Sequence, residues 1–176
     1  MNLKTCLILA LFVCLSFAGY LPQAYKQNDL KWRSEIIGFG SKTIAEDGSL
    51  VTSLASLAAG LGIFSDGKLF NPSIMNEWLK KHGGFVQRDQ VVWDSLTPLG
   101  VEFLGFTSDH QVMINAIVQG KPLIFQVKGE NRYVVGFLIT AGGFLCMDPD
   151  QSSFLDWNYY SFDEIANAGI YKVIEL

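Results

Sequence analysis

The sequence predicts an α+β domain in which helices come first and an antiparallel sheet follows. Two observations predict it. Between residues 49 and 82 apolar side chains recur at helical spacing, and after residue 100 the chain breaks into short runs rich in Val, Ile and Phe, separated by turn residues. That order segregates helices from sheet, as in α+β architectures.

The elements follow in turn. Residues 25–40 read as an irregular arm anchored by Trp32. After Asp47-Gly48, the residues Leu50, Leu54, Leu57, Ala58 and Leu61 define a first helix, which Gly60 and Gly62 end. Asn71 is placed to cap a second helix, with Pro72 at its first position, since Pro lacks the N–H that an N-terminus leaves unused. Ile74, Trp78 and Leu79 form its apolar face, and Gly83-Gly84 stops it. Residues 101–106 are predicted as a strand, and 110–119 as a helix burying Val112, Ile114 and Ile117. Three strands are predicted at 122–128, 132–140 and 143–147, then a short helix over 161–167 and a last strand over 170–174. Ser161 and Glu164 have the spacing of a capping box, which places a helix start there.

The first 18 residues carry one charge, Lys4, then an unbroken apolar stretch from Cys6 to Leu15, then Ser16-Phe17-Ala18. A basic start, a short apolar middle and a small-x-small end predict a secretory signal peptide cleaved after Ala18, with an uncleaved membrane anchor as the alternative. Residues 19–176 then form one domain, long enough for a real core. Without Lys4 the chain has 12 Lys+Arg against 17 Asp+Glu, a formal charge of −5. An acidic surface with no basic cluster argues against nucleic acid and anionic lipid as partners. Cys6 and Cys14 leave with the signal, so only Cys146 remains and no internal disulfide can form. Asn71-Pro72-Ser73 has the spacing of a glycosylation sequon, but the proline forbids it.

Five segments, in order, carry a family likeness: Tyr25-Lys26-Gln27-Asn28-Asp29; residues 43–55 around Ser49; Gly120-Lys121-Pro122-Leu123-Ile124; Arg132-Tyr133-Val134-Val135-Gly136; and Met147-Asp148-Pro149. Together they resemble the double-glycine leader peptidases, the bacteriocin-processing branch of the papain-like cysteine peptidases, over nearly all of residues 19–176. The resemblance implies a papain-like fold, with N-terminal helices packed on a C-terminal antiparallel sheet. It also implies a triad of Cys at the position of Ser49, His at that of Arg132, and Asp or Asn at that of Asp148, with an oxyanion-hole residue at the position of Thr43. Only Asp148 keeps the family's chemistry.

The exchanges are physically severe. A thiolate at a helix N-terminus is a nucleophile because the helix dipole and an imidazolium both lower its pKa. A serine hydroxyl ionises far less readily and needs a general base within hydrogen-bond reach. Arg132 cannot be that base, because a guanidinium keeps its proton. His82 closes the second helix and His110 starts another, and neither maps to the sheet position facing Ser49. Asp148 is expected to pair with Arg132 across adjacent strands. Arg132 beside the Ser49 helix could instead form an anion site, which Asp148 opposes.

Other candidates have plainer expectations. Cys146 alternates with Phe144 in an apolar strand and is expected to be buried and inert, with a reactive or cross-linking thiol as the alternative. Asp148, Asp150, Ser152 and Asp156 have calcium-loop spacing, but Ser153 stands where glycine is needed and Tyr159 where glutamate is, so the segment reads as a solvated loop. Trp157, Tyr159 and Tyr160 are expected in a loop, either exposed for contact or tucked onto the core. No cofactor and no metal are expected. The functional expectation is a secreted, catalytically inactive peptidase-like domain that binds a peptide or protein, or copies of itself. The rivals are an active hydrolase using Ser49 and a self-assembling extracellular subunit joined through sheet edges.

Overall fold

A computed structural model describes residues 20–150 and 156–174. Residues 1–18, read above as a signal peptide, lie outside the described residues, as do Ser152 and Ser153 of the acidic loop. Among the described residues no helix is long and apolar enough to cross a membrane.

Among the described residues there are four α-helices and ten strands in an α+β arrangement. A short helix α1 (Ile44–Asp47) leads into α2 (Ser49–Gly60). A two-residue hairpin follows, β1 (Phe64–Ser65) and β2 (Lys68–Leu69), then α3 (Pro72–Lys81). A second small hairpin, β3 (Phe85–Val86) and β4 (Gln90–Val91), runs into a 3-10 helix, Trp93–Leu99. The sheet strands are β5 (Val101–Thr107), β6 (Leu123–Val127), β7 (Tyr133–Thr140), β8 (Gly143–Met147), β9 (Trp157–Ser161) and β10 (Ile165–Val173), with α4 (His110–Val118) between β5 and β6. They make one six-stranded sheet in the order β5-β10-β6-β7-β8-β9, antiparallel throughout.

The local chemistry explains the helices. The Asn71 side chain accepts from Ile74 N–H at 2.9 Å, Pro72 opens α3, and Lys80 and Lys81 sit in its last turn, where cations favour the dipole. Helix α2 has no solvent-exposed face: Val51, Leu54, Ala55, Leu57 and Ala58 are all buried, and so are its polar residues Ser49, Thr52, Ser53 and Ser56, as in a helix at the centre of a core. It packs with α3 on one sheet face, against Ile124, Val135, Met147 and Tyr171. The other face carries a second core, where Met113, Ala116 and Ile117 of α4 cover Phe125, Val134, Phe144 and Cys146.

The structure corrects three expectations. Val112 is exposed, because α4 turns Met113, Ala116 and Ile117 inward; Ile117 is buried as expected and Ile114 packs partly buried beside it. The Ser161–Glu164 capping box is present, but it starts only a 3-10 turn, Phe162–Glu164; residues 165–167 are already in β10, where pairing with β6 outweighs local helix preference. Trp157, Tyr159 and Tyr160 belong to strand β9, paired with β8, and Tyr160 is buried.

The N-terminal arm is held by polar ties. Trp32 is buried and its indole N–H donates to Lys26 C=O. Asn76, fully buried on α3, accepts from Gly38 N–H at 3.0 Å and donates to Ile36 C=O at 2.9 Å. Asn76→Ala strands both backbone groups, and urea denaturation should show a loss of about 2–3 kcal/mol. An unchanged midpoint would show that the arm is not fastened there.

Candidate functional site

Ser49 begins α2, with Gly48 as its N-cap, and is 5% exposed. Its hydroxyl accepts from Tyr133 N–H at 3.2 Å and lies 3.5 Å from the Asn131 carbonyl, to which it donates. One helical turn on, the Ser53 hydroxyl donates to Tyr133 C=O at 3.0 Å. The two serines are i and i+4 on one helix face. Together they take both main-chain polar groups of Tyr133, its N–H and its C=O, and dock the start of β7 onto α2. Ser53 carries no signal in the sequence beyond this four-residue spacing. Asn131 adds a side-chain bond from its NH2 to Asp47 Oδ1 at 2.7 Å, and Asp47 also pairs with Lys42 at 3.1 Å.

Neither histidine reaches the serine. His82 Nδ1 lies 2.8 Å from Trp78 C=O and its ring stacks on Trp78. His110 stacks on Phe162, on the α4 side of the sheet. Thr43 caps α1, and its hydroxyl donates to Glu46 Oε2 at 3.0 Å on the surface. That hydroxyl is therefore engaged with Glu46.

Arg132 and Asp148 form the predicted pair. Arg132 precedes β7 and Asp148 follows β8, so the antiparallel register that sets Val135 opposite Met147 brings their ends together. Arg132 Nη1 donates to Asp148 Oδ2 at 3.2 Å and to Asp150 Oδ2 at 3.3 Å. Its Nε is 2.9 Å from Glu130 Oε2, a charge contact out of line for a hydrogen bond. The guanidinium also lies 5.8 Å from the Tyr160 ring centre. Partial burial opposes its charge, but the attraction of Asp148 leads a set of neighbours that together raise the Arg132 pKa. Three carboxylates around one guanidinium oppose an anion site there, Asp150 and Glu130 adding to the opposition expected of Asp148.

Asp148 is 1% exposed and satisfied on both oxygens. Oδ2 accepts from Tyr160 O–H at 2.6 Å, from Asn158 at 3.1 Å and from Arg132; Oδ1 accepts from Asp150 N–H at 2.9 Å. Burial, then the Asp148 hydrogen bond, raises the Tyr160 pKa. The arm closes the network, with Lys26 Nζ donating to Asp148 C=O at 3.0 Å and Gln27 N–H to Pro149 C=O at 2.9 Å. Sequence reasoning found Arg132 and Asp148 but missed Glu130, two residues before Arg132 in the same turn, and Tyr160 and Asn158, which reach Asp148 through the β8–β9 pairing.

Cys146 is fully buried, and desolvation pushes its thiol well above the usual range, with Asp148 adding to the shift. Among the described residues no group of three or more His, Cys, Asp or Glu is placed to hold a metal ion.

Beside the Ser49 clasp a cleft of about 620 Å³ opens between α2, the β3–β4 hairpin and the start of β7. Lys42, Asp47, Leu50, Asp89, Val91 and Tyr133 are among its walls. No protein family, characterised protein or solved structure matches this chain.

Proposed function

We propose that this chain is a secreted domain of papain-like peptidase design, resembling the double-glycine leader peptidases, that has lost hydrolysis and binds a peptide or protein segment in the cleft beside Ser49. The carrying observation is the environment of the Ser49 hydroxyl. It is held between the Tyr133 N–H and the Asn131 carbonyl, and both neighbours are main chain. Neither can act as a general base, and the position expected for histidine holds an arginine bound to Asp148. Loss of a nucleophile–base pair removes several orders of magnitude in rate. The helix-led order, the six-stranded antiparallel sheet and the placement of residues 49, 132 and 148 around one end of α2 support the papain-like reading. The cleft is large enough for peptide side chains.

The test is a fluorophosphonate probe and a peptide-library turnover assay on residues 19–176. Neither labelling nor turnover is expected, while Ser49→Ala should loosen β7 and lower stability by about 1 kcal/mol. Labelling that vanishes in Ser49→Ala would return the serine to service as a nucleophile. Light scattering addresses self-association, and a monomer at every concentration would leave a separate peptide or protein as the partner.

A further inference from the structure

A second concavity, of about 480 Å³, lies next to the cleft and shares Trp93 and Tyr133 with it. Its remaining walls include Phe106, Thr107, Gln126 and Asn167. No charged residue lines it, whereas the cleft next door carries Lys42, Asp47 and Asp89.

Four adjacent strands build this pocket on one sheet face. Phe106 of β5 pairs with Gly169 of β10; Asn167 of β10 pairs with Gln126 of β6; Gln126 pairs with Tyr133 of β7. Side chains directly opposite across a sheet share a face. The Trp93 ring lies over Gly169, where any Cβ would meet it at 2.4 Å, so only glycine admits the ring there. Phe103, Phe106, Tyr133 and Tyr171 all contact that ring, at centroid distances of 4.8–6.4 Å. Trp93 is thus a fixed floor.

The placement of Phe106 is the least expected feature. In a regular strand residues 103 and 106 point to opposite faces. Here a bulge intervenes: Ile170 pairs with Gly105, but Tyr171 pairs with Phe103. Gly105 takes φ +121°, a conformation that only glycine adopts without strain. The extra residue brings Phe106 round to the Phe103 face, where the two rings touch at 4.9 Å. Phe106 nevertheless remains 56% exposed. Core packing does not account for a bulge that delivers a half-exposed aromatic ring to the rim of a pocket.

The polar wall is equally specific. Asn167 donates from its NH2 to Gln126 Oε1 at 2.7 Å. The Gln126 NH2 and the Asn167 carbonyl oxygen have no further partner among the described residues, which leaves one donor beside one acceptor. Flipping both amides gives the same complement. A peptide unit offers the matching acceptor and donor.

We infer that this pocket takes an uncharged apolar side chain of an extended peptide, seated on Trp93 and Phe106, while the peptide's backbone amide pairs with Gln126 and Asn167. The same chain passes Tyr133 into the cleft beside Ser49, so the inference rests on the peptide-binding reading above and adds a selectivity to it. A peptide fits better than a saccharide because the pocket continues past Tyr133 into the cleft, giving a path for a chain.

The experiment is nuclear magnetic resonance titration of residues 19–176 with capped tetrapeptides, Ac-Ala-X-Ala-Ala-NH2, where X is Gly, Asp, Lys, Leu or Phe, and with a chitin trisaccharide. Leu and Phe peptides are expected to shift the Trp93 indole and the side-chain amides of Gln126 and Asn167, and to bind about tenfold tighter than the Gly, Asp and Lys peptides. Phe106→Ala changes an exposed side chain, so the domain should stay folded while that preference disappears. Gln126→Leu should weaken all peptides alike. Binding that ignores X, or shifts confined to Leu50, Asp89 and Val91, overturns the pocket but leaves the cleft reading standing. Saccharide binding at Trp93 without peptide binding overturns both. Peptide selectivity at the pocket together with fluorophosphonate labelling at Ser49 keeps the pocket and overturns only the loss of hydrolysis. The absence of any shift with any peptide sinks both.

Discussion

Asp148→Ala is expected to lower the stability of the domain by about 3–5 kcal/mol, because it leaves a partly buried guanidinium without its buried partner. The carboxylate accepts from four donors, and the Arg132 guanidinium among them has other carboxylates to fall back on, at Asp150 and Glu130. Tyr160 O–H is left in a buried site with nothing to donate to, which adds a desolvation penalty. For a domain of this size the melting temperature should fall on the order of 10 °C. Asp148→Asn keeps the shape and an acceptor for Tyr160 but removes the charge, and should cost less, about 1.5–3 kcal/mol. Combining Arg132→Ala with Asp148→Ala should cost less than the two changes added separately, since each single change strands the other's charge. Purely additive losses, or a silent Asp148→Ala, would mean that the network is an ornament of the surface. The comparison also bears on the proposed function, because it would show Asp148 holding β8, β9 and the arm together.

Above about pH 10 the domain is expected to lose stability steeply, since Tyr20, Tyr160 and Tyr171 are tyrosines whose protons the fold holds more tightly than the open chain does. Burial is the leading cause in all three, and at Tyr160 the hydrogen bond to Asp148 adds to it. The unfolded chain releases these protons near pH 10, while the folded chain keeps them to higher pH. Below pH 10 both states are protonated and the tyrosines contribute no slope. Above it the unfolded state binds fewer protons, so each tyrosine lowers stability by about 1.4 kcal/mol per pH unit. Three together give about 4 kcal/mol per unit, which is enough to unfold a typical domain within two pH units. Tyrosinate absorbance and circular dichroism followed in one alkaline titration should change together. Ionisation of all six tyrosines with the dichroism intact would overturn the expectation.

The two ends of helix α3 are legible in the sequence, because Asn71, Pro72 and Gly83-Gly84 act locally and nothing distant contradicts them, but the burial of Met75 and Asn76 is not. Helix α2 was legible in its extent. That it is buried on all sides was not, because periodicity marks a face only when the opposite face is polar. The β1–β2 hairpin had its signal in Asp66-Gly67, both with positive φ, but strands of two residues carry no alternation to support it. Strand β9 was hidden by a polar approach, although Trp-Asn-Tyr-Tyr is rich in strand formers. The end of the Ser161 helix was misjudged for a different reason: a capping box specifies how a turn begins, while the partner strand β6 decides how soon it stops. At the site, Ser49, Arg132 and Asp148 could be found from order along the chain. Their partners could not, since Tyr160 and Asn158 meet Asp148 through β8–β9 pairing and Ser53 meets Tyr133 across 80 residues. The trapped state of the Ser49 hydroxyl is a property of the β7 main chain, for which residue identities give no sign.

The position of β10 has a consequence for how the chain is made. It is the last of the six strands to be synthesised, yet it lies inside the sheet, between β5 and β6. Until residue 173 has left the ribosome, both neighbours present bare hydrogen-bonding edges to whatever strand is near, and that is the route by which nascent chains stick to one another. Truncated or stalled chains of this protein should therefore depend on a holding chaperone far more than the finished chain does.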